Sequence, residues 1–69
     1  MKVQDIAKAL ASNGGELIRQ RGSHQRWRLQ RNGKTAFTTI PAHRGDVPIG
    51  TAKAIERDLE ELLGKVWLL

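Results

Sequence analysis

Sixty-nine residues suffice for one domain with a modest core, and the absence of cysteine excludes disulfide staples and thiolate metal sites. Twelve basic residues against seven acidic ones leave a formal charge of +5. The charge is concentrated: Leu17 to Arg44 contains Arg19, Arg21, Arg26, Arg28, Arg31, Lys34 and Arg44 and no acid, which favours a polyanionic partner. Nucleic acid ranks before membrane, because no strongly amphipathic basic helix is present.

From Lys2 to about Ser12, the residues Val3, Ile6, Ala7, Leu10 and Ala11 recur at helical spacing and predict an amphipathic helix. Asp5 falls in its first turn, where negative charge suits the helix dipole. Asn13-Gly14-Gly15 ends it, since these residues tolerate positive φ. The apolar positions of this segment are spaced rather than continuous, so it does not read as a signal peptide, and a cytoplasmic protein is expected.

Glu16 to Arg21 predicts a first strand whose inward face stays open, because Leu17 and Ile18 point opposite ways. Arg21-Gly22-Ser23 is a turn. His24 to Arg31 is a second strand with Trp27 and Leu29 on one face and His24, Arg26, Arg28 and Gln30 on the other. Asn32-Gly33 is a strong hairpin signal, since both residues accept positive φ. Lys34 to Ile40, rich in β-branched residues, is the third strand, and its Phe37 is expected in the core with Trp27.

Pro41 to Ile49 reads as a loop. A second helix is expected from Gly50 or Thr51, with Thr51 as a candidate N-cap and Ala52, Ile55, Leu59, Leu62 and Leu63 as the apolar stripe. Its acidic residues Glu56, Asp58, Glu60 and Glu61 are read as a solvated face. Gly64 stops it. The tail Val66-Trp67-Leu68-Leu69 is apolar, and packing on the core, extending the sheet and meeting a partner are all open to it. The expected architecture is α+β, in the order α-β-β-β-α: a three-stranded antiparallel sheet with both helices on one face and a basic open face.

Catalytic candidates are few. His24 and His43 stand 19 residues apart, and no further clustered ligands complete a zinc set, so no metal or cofactor is expected. Five arginines lie within seven residues of His24. RNA cleavage without metal requires a base for the ribose 2′-hydroxyl, an acid for the leaving 5′-oxygen and positive charge at the phosphorane. Imidazole suits the proton transfer near neutrality, and guanidinium groups bind phosphate in bidentate fashion. On residue types alone the commoner reading of His24 is a surface residue of a polar strand. His43 is either a second functional group or a loop-shaping residue.

Gly22-Ser23-His24 followed by Gln25-Arg26-Trp27-Arg28-Leu29 resembles the signature of the HicA toxins. Ile40-Pro41-Ala42-His43, then Gly50-Thr51 opening a helix that contains Ile55, is similar to that family's second motif, and the resemblance runs from about Val3 to Leu63. It implies a fold like the double-stranded RNA-binding domains. It also implies an mRNA-cleaving toxin of a type II toxin–antitoxin pair, restrained by a HicB-type antitoxin. The catalytic residue it implies is His24. Arg21, Ser23, Arg26, Arg28, Lys34, His43 and Arg44 are the expected RNA contacts. The stretch from Arg44 to Gly50 departs from the family, carrying Asp46 and Pro48 where lysines are common. A non-catalytic RNA-binding module of the same fold is the alternative reading.

Overall fold

The computed structural model describes residues 1–42 and 45–69; His43 and Arg44, both expected RNA contacts, lie outside them. Helix α1 spans Val3–Ser12, strands β1, β2 and β3 span Glu16–Arg21, His24–Arg31 and Lys34–Pro41, and helix α2 spans Ile49–Leu63. The strands form one antiparallel sheet in the order β1-β2-β3. This is the α-β-β-β-α arrangement of the double-stranded RNA-binding-domain type.

Two tight turns set the register. Arg21 pairs with His24 across Gly22-Ser23, and Gly22 has φ +55°. Positive φ at the first central residue alone belongs to a type II′ turn, which glycine permits without strain. Arg31 pairs with Lys34 across Asn32-Gly33, where φ is +53° and +77°. Positive φ at both central residues is the requirement of a type I′ turn.

The core lies between the sheet's inner face and the helices. α1 contributes Val3, Ile6 and Leu10, β2 contributes Trp27 and Leu29, and β3 contributes Ile40. Val47, before α2, and Ala52, Ile55 and Leu59 of α2 complete it. The predicted stripes hold, except that Ala11 is exposed. Thr38 is the one buried polar residue among those described, and its hydroxyl donates to Asp58 Oδ2 of α2 at 2.9 Å. A buried hydroxyl without such an acceptor would be destabilising.

Three local expectations are corrected. Phe37 is 41 % exposed and lies outside the core, because it pairs with Arg28, and directly opposed residues share a face. α2 begins two residues before Thr51, with Pro48 as N-cap and no side-chain cap, so Thr51 is inside the first turn. The acidic run of α2 is not merely solvated. Glu56 Oε2 accepts from the backbone N–H groups of Leu68 and Leu69 at 2.9 and 2.6 Å, and Glu61 pairs with Lys34 Nζ at 3.2 Å.

The tail folds back on α2. Trp67 donates its indole N–H to the Glu56 carbonyl at 2.6 Å, and Trp67 and Leu68 pack against the core. Of the destinations open to it, packing on the core is observed for Trp67 and Leu68, while Val66 and Leu69 are exposed. Near the N-terminus, Val3 N–H donates to the Gly45 carbonyl and Val47 N–H to the Met1 carbonyl, tying α1 to the segment that leads into α2.

Gly15 joins α1 to β1 under a tight constraint. Its N–H donates to the Leu10 carbonyl at 2.7 Å, and a Cβ at this position would stand 2.8 Å from that oxygen. Gly15→Ala therefore forces helix and strand apart. A loss of about 1–3 kcal/mol is expected, read as a lowered urea midpoint with an unchanged slope.

Candidate functional site

The open face of the sheet is read from the register. Arg19 and Arg21 of β1 pair with Arg26 and His24 of β2, and Arg26 and His24 pair in turn with Thr39 and Pro41 of β3. All six face away from the helices, because Trp27 and Leu29 take the opposite parity into the core. A bulge between Leu17 and Arg19 makes this possible on β1. The extra residue shifts the alternation, so Leu17 pairs with Trp27 on the inner side while Arg19 and Arg21 still reach the outer one.

Arg19, Arg21, His24, Arg26 and Thr39 line a concave site of ≈ 270 Å³. Among the described residues three guanidinium groups line it, and none of the lining residues is acidic. His24 is exposed at the site's edge, the first residue of β2 after the type II′ turn. Its backbone position is set by two features. The turn sets its direction, and the Ser23 carbonyl accepts the Ala42 N–H at 2.6 Å, closing the end of β3 against the turn. Arg26 is held by a hydrogen bond from Nη1 to Thr39 Oγ1 at 3.0 Å, so its guanidinium is aimed before any ligand arrives.

The remaining expected residues divide. Arg28 lies on the same open face, but its Nη2 pairs with Glu16 Oε1 at 3.3 Å and its Nε is buried without a hydrogen-bond partner. Ser23 sits in the turn beside His24. Lys34 stands at the other end of the sheet, at the second turn, against Glu61. Arg19 and Thr39 are members of the site that residue-type reasoning did not single out. The signal for both was the register: each is the cross-strand neighbour of Arg26.

Among the described residues no group of three His, Cys, Asp or Glu side chains converges to hold a metal ion. Among the described residues, too, no helix is long and apolar enough to cross a membrane. Among the described residues the site offers an imidazole, three guanidinium groups and a hydroxyl in one concavity. This is a set suited to a phosphodiester, with guanidinium groups for its oxygens and imidazole for a proton.

Fold and site together define a small, basic α-β-β-β-α domain, folded like the double-stranded RNA-binding domains and carrying a histidine among arginines. The chain belongs to the HicA toxin family, the HicA toxins of bacterial toxin–antitoxin systems, which matches residues 3–61. It is therefore the toxin component of such a system, and an antitoxin is its partner. Comparison with curated proteins and with solved structures gave no match.

The division of the cations makes a direct test. Arg19→Gln and Arg21→Gln are each expected to elute from a heparin column at clearly lower salt than the native chain. Lys34→Gln, at the far turn and already paired, is expected to elute with the native chain.

Proposed function

We propose that this toxin acts as a metal-independent endoribonuclease that cuts mRNA, with His24 as its catalytic residue. The observation that carries the reading is the convergence of Arg19, Arg21 and Arg26 around His24 in one solvent-open concavity. The family match supports it, since it makes the chain a toxin.

The chemistry follows from the groups available. The RNA strand lies on the basic face with one phosphate among the three guanidinium groups, which bind its non-bridging oxygens. Neutral His24 takes the proton from the adjacent ribose 2′-hydroxyl. The 2′-oxygen bonds to phosphorus, the bond from phosphorus to the 5′-oxygen breaks, and the departing oxygen is protonated from solvent. The products are a 2′,3′-cyclic phosphate and a 5′-hydroxyl. Charge accumulates on the phosphorane oxygens in the transition state, where the arginines stabilise it most. His24 then returns its proton to solvent.

Arg21, Ser23, Arg26 and Arg28 are assigned to the RNA at or beside this site. His43 and Arg44 join them on the grounds of sequence, and Lys34 reaches only RNA that extends to the second turn. A HicB-type antitoxin with an acidic surface would restrain the toxin by covering the basic face and burying His24, since complementary charge steers such association. An mRNA substrate makes the cytoplasm the pair's site of action.

The test is cleavage of RNA by the native chain in excess EDTA beside His24→Ala. The native chain is expected to cut. The variant is expected to lose at least about 10²-fold in rate while still binding RNA, since general acid–base groups contribute on that scale. If both bind RNA equally and neither cuts, the protein is a non-catalytic RNA-binding module.

A further inference from the structure

We infer that Phe37, with Arg26 laid against it, is a base-stacking subsite, so that the open face takes single-stranded RNA rather than a duplex. The inference rests on the RNA-binding reading above and adds to it the substrate's strandedness and a position on the strand.

Phe37 is the only phenylalanine of the chain, and it lies on the open face rather than in the core. Its cross-strand partner is Arg28. The Arg26 guanidinium lies over its ring, with Cζ 5.0 Å from the ring centroid. Arg26 is also anchored to Thr39 Oγ1, so ring and guanidinium are held together before a ligand arrives. Both present π-surfaces, and aromatic rings and guanidinium planes are the two side-chain surfaces on which unpaired RNA bases stack.

The surroundings decide which ligand fits. The neighbours of the ring on this face are Arg26 and Arg28, so a ligand that covers the ring must bring negative charge to it as well as a flat or apolar surface. A nucleotide supplies both halves of the match, a flat base for the ring and a phosphate for the guanidinium groups. A duplex supplies only the phosphates and the 2′-hydroxyls of its minor groove, because its bases are stacked on one another. An aromatic ring on the edge strand of the basic face, beside Arg26 and Arg28, therefore serves a single strand.

Placement adds a second point. Phe37 is level with Arg28, four residues along β2 from His24, or roughly 13 Å at the rise of a strand. A base on Phe37 thus belongs to a nucleotide a few positions from the bond His24 would cut. Stacking there would hold the strand in register with the phosphate among Arg19, Arg21 and Arg26.

The experiment uses His24→Ala throughout to prevent cleavage, and measures binding of a short oligouridylate, an abasic ribose-phosphate strand of the same length, and a blunt RNA duplex. Phe37→Ala added to this background is expected to weaken oligouridylate binding by roughly 5- to 150-fold, the range of one lost base stack. Its salt dependence should not change, because no phosphate contact is lost. Phe37→Trp should retain or improve affinity, and the abasic strand should bind equally well with and without the Phe37→Ala change. Unchanged oligouridylate affinity in Phe37→Ala, or a preference for the duplex, overturns the stacking subsite and leaves the ribonuclease reading intact. A chain that binds none of the three RNAs overturns both. Unchanged thermal midpoints across the variants show that the comparison is between folded proteins.

Discussion

Two turns of two residues each govern this molecule. In a three-stranded sheet with helices on one side, each strand must send alternate residues to the core, and a slip of one residue would invert that assignment. Gly22-Ser23 and Asn32-Gly33 prevent the slip by fixing which residues face each other: Arg21 and His24 at one end, Arg31 and Lys34 at the other. On β2 and β3 every facing follows from that pairing. Trp27, Leu29, Thr38 and Ile40 go under the helices, while His24, Arg26, Arg28, Phe37 and Thr39 go to solvent.

The same division separates the charges. Like charges on neighbouring strands repel, and a small domain has little stability to spare for them. The solution is to keep the cations where water screens them and to use acids locally. Glu16 faces Arg28, Glu61 faces Lys34, and Asp58 accepts from buried Thr38. Glu56 binds two backbone amides of the tail, so the helix that carries most of the acid is also the one that closes the fold. Arg19, Arg21 and Arg26 line the site with no acidic residue among them, and there the field is available to a ligand.

A functional surface built on strands is more rigid than one built on loops. His24 opens β2 beside a turn that glycine alone makes comfortable, Arg26 is pinned by Thr39, and Phe37 is held beneath Arg26. A phosphodiester that meets this face finds the Arg26 guanidinium already oriented, which lowers the ordering cost of binding. The HicA family match makes the chain a toxin of a toxin–antitoxin system, and under the function proposed above the exposed sheet is its working surface.

The sequence by itself determined the element order, the strand limits to within a residue, both helical stripes, the placement of Trp27 and Leu29 inside and of His24, Arg26 and Arg28 outside, and the family. These are local properties: periodicity, turn chemistry and a motif, each contained in a short run of chain. Phe37 was legible in principle, since the Asn32-Gly33 turn already pairs it with Arg28; hydrophobicity argued for the core, and the register prevailed. Only the tertiary structure decided the rest. The bulge that puts exposed Leu17 and Arg19 on opposite faces of the sheet leaves no mark in an alternating pattern, and the grouping of Arg19, Arg21, His24, Arg26 and Thr39 depends on three strands lying side by side. The return of the tail to Glu56 depends on α2 being there to receive it. Contacts between residues distant in sequence are set by pairing and packing, and no window along the chain contains them.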